Sequence, residues 1–344
     1  MTDKNIGIVG ASGAVGLELI KLLEKRNFPV NSLRCFGSNR SAGSFISFKN
    51  SKICIEELLE SSLKGLDIVF FSAGGKISQK YAPLAQKNGA IIIDNSSAFR
   101  LDQNVPLVIP EVNPEALQNH QGIIANPNCA TILMLVALAP LHKIARLKRI
   151  VVSTYQAASG AGLKAMSELQ EETLAYLQNS SYTRSIIPYP YAFNLFLHNS
   201  PRQENDYAEE ELKLLHETHK ILQDSNIRIG ATCVRVPVLR SHAESINAEF
   251  HSPLSKEEAI NVLKKAEGIK IVDNPMPVDA TGKEEILCGR IRKDLSQDNT
   301  LDLWVVGDQI LKGAALNAIQ IAEKLILLES PTLRETALQK PVFL

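Results

Sequence analysis

The chain uses two hydrophobic periods in turn. Near its start, short runs of consecutive apolar residues are separated by segments that are apolar on one helical face only. "NIGIVG" (5–10), "SLRCFG" (32–37), "LDIVFFSAG" (66–74) and "AIIIDNSS" (90–97) have the near-continuous apolar content of strands covered on both faces. "AVGLELIKLLEKR" (14–26) and "SQKYAPLAQKNG" (78–89) have the 3.6-residue spacing of amphipathic helices. Strand and helix alternate, which predicts a parallel sheet with helices on both faces.

Right-handed crossovers turn that alternation into a doubly wound, Rossmann-type α/β domain. The pattern changes within "IIANPNCATILMLVALAPL" (123–141). There a strand-like pair runs through Asn-Pro-Asn into a cysteine and a long apolar helix. "RIVVSTYQAASG" (149–160) then reads as a strand and "LKAMSELQEETLAYL" (163–177) as a helix. An irregular stretch follows with Pro188, Pro190 and Pro201. A helix at 207–222 precedes three strand-like runs, "IRIGATCVRVPVL", "ESINAEFH" and "LDLWVVG". Their polar–apolar alternation predicts a second, α+β domain with a mostly antiparallel sheet covered on one face. The last helix, "KGAALNAIQIAEKLILL" (312–328), is expected to return to the first domain. The expected division is therefore 1–128 with 314–344, and 129–313.

Composition narrows the function. Lys+Arg and Asp+Glu are both 37, so no basic field draws the chain to nucleic acid or to an acidic membrane. "MTDKNIGIVG" enters a strand without a charged n-region and apolar h-region, so no signal peptide is expected. The longest apolar stretch, 132–141, is shorter than the about 20 residues a membrane helix needs. Five scattered cysteines, Cys35, Cys54, Cys129, Cys233 and Cys288, form neither a disulfide framework nor a metal-site spacing. No metal and a cytoplasmic location are expected.

The glycines of "IGIVGASGAVGLELI", Gly10, Gly13 and Gly16, stand between a strand and a helix. Such a turn lets a pyrophosphate approach the backbone at a helix N-terminus. The GxxGxxG spacing departs from GxGxxG, and a tight packing turn is the alternative. At the end of the second strand an NAD site places an acid for the ribose hydroxyls. Here "FGSNRSAG" supplies Ser38, Arg40 and Ser41 instead, which suit a 2′-phosphate. NADP is therefore expected, a solvated loop arginine being the alternative. A free cysteine is usually a small buried hydrophobe, which suits Cys35, Cys54, Cys233 and Cys288. Cys129 starts a helix, where the macrodipole favours a thiolate, and a thiolate is a nucleophile.

The motifs "DNSSAFR", "NPNCAT", "YQAASGAG", "VRVPV" with a following His, and "KGAALNAIQIAE" together resemble the aspartate-β-semialdehyde dehydrogenase family from Ile6 to Glu323. The resemblance implies reversible, phosphate-dependent oxidation of aspartate β-semialdehyde to aspartyl β-phosphate with NADP. That reaction serves lysine, methionine, threonine and diaminopimelate biosynthesis. The resemblance implies Cys129 as the nucleophile that becomes an acyl-thioester, Gln156 as orienter of substrate and His242 as general acid/base. It implies Arg235 on the substrate α-carboxylate and Glu210 facing the α-ammonium. Arg100, Asn128 and Lys213 would hold phosphate. Ser12, Gly13, Ala14, Val15, Arg40, Ser41, Ser159, Gly160 and Asn317 would touch the cofactor. A homodimer is implied as well.

The residue chemistry is consistent with these roles. Histidine has the near-neutral pKa of a proton shuttle, about 6.5, and arginine matches a carboxylate bidentately. Glu210 and Lys213 lie three apart on one helix face. From the residues alone, a solvated helix pair is the alternative for those two. A structural ion pair is the alternative for Arg235, and a surface position for Arg100. His216 and His219 on the charged helix are expected to be solvated. Where the family often shows Gly-His-Ser, this chain has Ser241-His242-Ala243. Two other functions stay open: another phosphate-dependent semialdehyde dehydrogenase such as N-acetyl-glutamyl-phosphate reductase, and a non-catalytic NADP-binding protein.

Overall fold

A computed structural model describes residues 3–329, which form two compact units, 3–128 with 314–329 and 129–313. The rest of the expected first domain, 1–2 and 330–344, lies outside the described residues.

The first unit opens with β1 (Lys4–Val9), α1 (Ala14–Lys25), β2 (Val30–Gly37), β3 (Phe45–Phe48), β4 (Ser51–Glu57), β5 (Ile68–Phe71), α2 (Gly75–Lys87), β6 (Ile91–Asp94) and β7 (Ile123–Ala125). Its sheet runs β3-β4-β2-β1-β5-β6-β7 and is parallel except at the β3–β4 edge. The apolar runs fill its centre, with Ile6, Ile8, Val69, Phe70, Phe71, Ile92 and Ile93 all buried. α1 buries Leu19, Ile20, Leu22 and Leu23, each side chain worth about 1.5–3 kcal/mol. The strand order reverses at β1, so the β1–α1 turn sits at the switch point where doubly wound sheets take ligands. Gly10 turns the chain there at φ +87°, and a Cβ on it would come 2.4 Å from the Ser72 carbonyl oxygen.

The second unit contains α3 (Cys129–Ala145), β8 (Leu147–Gln156), α4 (Leu163–Leu177), β9 (Phe196–Leu197), α5 (Glu209–Leu222), β10 (Arg228–Arg235), β11 (His242–Phe250), α6 (Lys256–Leu263), β12 (Ile269–Ile271), α7 (Pro277–Ala280), β13 (Ile286–Lys293) and β14 (Thr300–Gly307). Its sheet order is β12-β13-β14-β11-β8-β10-β9. It is mixed: β12–β13 and β8–β10 are parallel and the other pairings antiparallel. Alternation along β8 buries Ile150, Val152, Thr154 and Gln156 and leaves Arg149, Val151, Ser153 and Tyr155 half-buried. α3 is apolar nearly all round and accordingly buried. It packs on β8, β11 and β14 and against α5 and α6. A π turn at Leu311–Ala315 leads into α8 (Leu316–Glu329). α8 belongs to the first unit, where it contacts α1 and β6. Among the described residues no helix is long and apolar enough to cross a membrane.

Two expectations change. Cys54 is exposed, on the β3–β4 edge hairpin, and is no buried hydrophobe. His219 is half-buried, with Nε2 2.7 Å from the Ile227 carbonyl oxygen. The loop after α5 folds back over it, which a charge count along the helix does not show.

Candidate active site

One end of the second sheet carries three buried polar side chains. Gln156 and Arg235 end the parallel strands β8 and β10 in direct register. His242 starts the antiparallel strand β11, and Ala243 lies opposite Tyr155, so all three share that end. They are 1%, 5% and 1% exposed. Each keeps one buried polar atom without a hydrogen-bond partner: Gln156 Oε1, Arg235 Nε and His242 Nε2. An unmet buried polar group costs about 1–3 kcal/mol, so three together mark a place built for a polar ligand.

The bonds these residues do make fix their orientation. The Ala157 backbone N–H donates to His242 Nδ1 at 3.1 Å. Nδ1 is therefore the acceptor and Nε2 carries the proton. Burial, and after it the Arg235 charge, push the ring's pKa down to about 3. The ring is thus a neutral N–H donor, its pKa well below the near-neutral shuttle value expected from sequence. Arg235 Nη1 donates to the Ala157 carbonyl at 3.1 Å, and Nη2 lies 2.8 Å from His198 Nε2. A Cβ on Gly160 would come 2.9 Å from Arg235 Nη1 and 3.0 Å from His242 Nε2, so a side chain at 160 would press on both groups.

α5 supplies the anionic side. Glu210, 7% exposed, accepts from Gln156 Nε2 at 3.2 Å and from Lys213 Nζ at 3.0 Å. Lys213 also pairs with Glu209 at 3.2 Å. The two residues expected on one helix face are therefore in contact, and Glu210 is tied to Gln156.

Cys129 is the first residue of α3 and half-buried. The helix's positive end favours negative charge there. A Cβ on Gly313 would come 2.9 Å from Cys129 Cβ and 3.2 Å from Gln309 Cβ. Gln309 accepts the Ser241 N–H at 2.9 Å and donates through Nε2 to Ser159 Oγ. Cys129 is thus linked through Gly313 and Gln309 to the residue before His242. By contrast, burial pushes the thiols of Cys35 and Cys288 up to about 12 and raises that of Cys233 further.

In the first unit, Ser12 and Gly13 are exposed, Ala14 and Val15 half-buried and Gly16 buried at the start of α1. No side chain caps that helix N-terminus, so its N–H groups are open to an anion. Ser38 and Arg40 are exposed, and Ser41 folds back, its N–H and hydroxyl both donating to the Ser38 carbonyl. Both Ser41 donors are thus spent within the loop, which leaves the side chains of Ser38 and Arg40 exposed. Arg100 is buried and donates to the Asn126 and Asn95 carbonyls. Asn317 is fully buried, its amide donating to the Val108 carbonyl and to Asn126 Oδ1. Asn128 is also buried. Among the described residues no cluster of three or more His, Cys, Asp or Glu could hold a metal ion.

Three residues in this constellation were not singled out from sequence: His198, Gln309 and Gly313. Gly313 lay inside a quoted motif. His198 lies in the proline-rich stretch that shows no periodicity.

A doubly wound unit with an open helix N-terminus and, in the same chain, a mixed-sheet unit with a cysteine, a histidine and an arginine define a nucleotide-dependent oxidoreductase class. Comparison with known proteins narrows it. Residues 5–120 match the model for the semialdehyde dehydrogenase NAD binding domain, and 138–312 match that for the semialdehyde dehydrogenase dimerisation domain. The chain is 54% identical to an aspartate-semialdehyde dehydrogenase of Synechocystis over 327 residues, covering 93% of this chain and 97% of that protein. A Bacillus subtilis relative of the same name is 46% identical over 335 residues, with the same coverage. The solved aspartate semialdehyde dehydrogenase II of Vibrio cholerae, complexed with ASA, superposes with a TM-score of 0.93 at 41% identity, covering 95% of this chain and 99% of that one. The chain belongs to the aspartate-semialdehyde dehydrogenase family. Its activity is the oxidoreduction of aspartate semialdehyde in amino-acid biosynthesis.

Proposed function

We propose that the enzyme interconverts L-aspartate 4-semialdehyde, phosphate and NADP with 4-phospho-L-aspartate and NADPH through a thioester on Cys129. The observation that carries this reading is the meeting of an acceptor, Gln156 Oε1, with two donors, Arg235 Nε and His242 Nε2, all buried and unpartnered at one sheet end.

Each residue has a role that its geometry supports. Arg235 pairs with the substrate α-carboxylate, and the Glu210 carboxylate with the α-ammonium. Glu210 also separates an aminated substrate from an N-acylated one, which has no cation to offer. Gln156, tied to Glu210, aligns the chain between them. The Cys129 thiolate adds to the aldehyde carbon, and the carbonyl π electrons move to oxygen. The His242 Nε2–H bonds that oxygen as it becomes negative. NADP, when bound, supplies the hydride acceptor. Loss of hydride from carbon lets the oxygen electrons re-form the carbonyl, leaving the thioester. Phosphate attached near Lys213 attacks the thioester carbon, its proton is released, and the Cys129 thiolate departs. Biosynthesis runs this sequence in reverse. Substrate bound to Arg235 also cancels one of the three causes that depress His242, so ring basicity rises when proton transfer is needed.

For the cofactor, the open α1 N-terminus with Gly10, Ser12, Gly13, Ala14, Val15 and Gly16 suits a pyrophosphate. Ser38, Arg40 and Ser41 suit a 2′-phosphate, and Arg40 has no partner among the described residues. We assign NADP over NAD on that basis. We also assign 1–128 with 314–344 as the nucleotide domain and 129–313 as the catalytic domain. The dimerisation-domain match supports a homodimer, and five free thiols suit the cytoplasm.

The direct test is NADPH formation from aspartate semialdehyde with and without phosphate, repeated with NAD and with Arg40→Ala. Phosphate-dependent turnover, and an Arg40→Ala loss about a hundredfold larger with NADP than with NAD, is the expected result. Equal losses with both nucleotides would remove Arg40 from the 2′-phosphate.

A further inference from the structure

The irregular segment between α4 and α5 brings one side chain to Arg235 that the mechanism above does not use. His198 follows β9 directly, and its backbone N–H is anchored on the Cys233 carbonyl at 2.8 Å. Its Nε2 lies 2.8 Å from Arg235 Nη2. A guanidinium only donates, so arginine is the donor and His198 Nε2 the acceptor. The Ala157 carbonyl takes a second hydrogen, from Nη1. Two acceptors on different nitrogens fix the plane of the guanidinium, and its Nε–H remains the unmet donor.

The far side of the imidazole packs against Ser200. The Ser200 N–H faces His198 Nδ1 at 3.2 Å, and Ser200 Oγ accepts the Glu210 N–H at 3.1 Å. Glu210 holds Gln156, whose chain neighbour Ala157 holds Arg235. Contacts thus run from Arg235 through His198, Ser200, Glu210 and Gln156 to Ala157, the Ser200–His198 step being a packing contact. A neutral imidazole has one acceptor nitrogen: with Nε2 taking the Arg235 hydrogen, Nδ1 carries the ring proton, and protonating His198 would set a second N–H against Arg235 Nη2. Burial and the Arg235 charge accordingly push its pKa down to about 4.

We propose that His198 is a positioning residue for substrate: it holds the Arg235 guanidinium in the plane that presents its Nε edge to the substrate α-carboxylate. It touches neither the reacting carbon nor the thiol. The proposal rests on the reading of Arg235 as the carboxylate clamp.

The test compares aspartate semialdehyde with 3-aminopropanal, which is the same aldehyde without the carboxylate. His198→Leu removes the acceptor. His198→Asn carries one only at the Nδ1 distance, and His198→Gln places a carboxamide oxygen near the Nε2 position. Leu and Asn are expected to raise KM for aspartate semialdehyde about tenfold, the effect of one lost hydrogen bond to a charged group. They are expected to leave kcat within about twofold and 3-aminopropanal unaffected, and Gln is expected to restore most of the loss. Where 3-aminopropanal turns over too slowly, its inhibition constant against aspartate semialdehyde gives the same comparison. Unchanged NADP affinity in the variants confirms the fold. An equal loss for both aldehydes, or none for either, overturns the role of His198. Arg235→Gln is measured in parallel. If it still discriminates between the aldehydes, the clamp itself is wrong; if it loses discrimination while His198→Leu keeps it, only the His198 proposal fails.

Discussion

The backbone N–H of Ala157 donates to Nδ1 of His242 at 3.1 Å, so a main-chain atom decides which nitrogen of the ring holds the proton. With Nδ1 occupied as an acceptor, the neutral ring presents Nε2–H. Nitrogen-15 NMR of the free enzyme is expected to show that tautomer and a neutral ring from pH 8 down to about 5, because the pKa is pushed down to about 3. The folded pKa lies below the unfolded value of about 6.5. The stability contributed by this histidine is therefore present above that value and is lost as pH falls toward 3. Titration near 6.5 in the free enzyme would contradict the burial argument.

The residue before His242 holds a backbone conformation that its type disfavours. Ser241 has φ +76°, the left-handed region where a side chain costs about 1–2 kcal/mol. It is retained by the Gln309 bond to its N–H and a 2.9 Å contact between its hydroxyl and that of Thr281. Glycine, which the family often has here, fits the same φ. Ser241→Gly is expected to keep full activity, whereas Ser241→Val, β-branched at positive φ, is expected to lower the melting temperature and kcat together. Equal behaviour of the two variants would show that φ does not constrain this position.

Much of this architecture is legible in the chain, for identifiable reasons. Strands β1, β5 and β6 are covered on both faces, so their apolar runs stand out. The motif residues cluster because β8, β10 and β11 end together. The β3–β4 hairpin is hidden because its two-residue turn, Lys49-Asn50, has φ 45° and 62° without the usual Asn-Gly signal. Helix α6 carries a readable start in Ser255 and Glu258, whose capping box is formed in the structure, yet it sits between short strands with little periodicity. The roles of His198 and Gln309 depend on tertiary contacts, which no spacing along the chain encodes. The depressed pKa of His242 is likewise a product of burial beside Arg235.

Gly313 is close enough to Cys129 to control where the sulfur sits. A methyl there would come 2.9 Å from Cys129 Cβ, a contact that backbone-fixed atoms do not relieve cheaply. Gly313→Ala is expected to lower kcat about a hundredfold, as small displacements of reacting groups do, with NADP affinity unchanged. Retention of wild-type kcat would show that the thiol tolerates the shift.

Glu244 lies two residues beyond His242 on β11, opposite Thr154. It is fully buried, with neither carboxyl oxygen partnered. Burial raises its pKa well above the usual carboxylate range. The group is protonated in the fold and ionises in the unfolded chain above about 4.3. The stability tied to it is present below that pH and is lost as pH rises toward the folded pKa. Glu244→Gln, which cannot ionise, is expected to match wild type in thermal melts at pH 4 and to exceed it increasingly toward pH 8. A constant difference across that range would mean that the carboxyl is ionised in the fold.

The acyl-enzyme is open to direct capture. With aspartate semialdehyde and NADP but no phosphate, the enzyme should release one NADPH per active site in a burst and then stall. Mass spectrometry should find the aspartyl group on the peptide carrying Cys129, and added phosphate should discharge it. No burst, or an acyl group on any other residue, would contradict the thioester on Cys129.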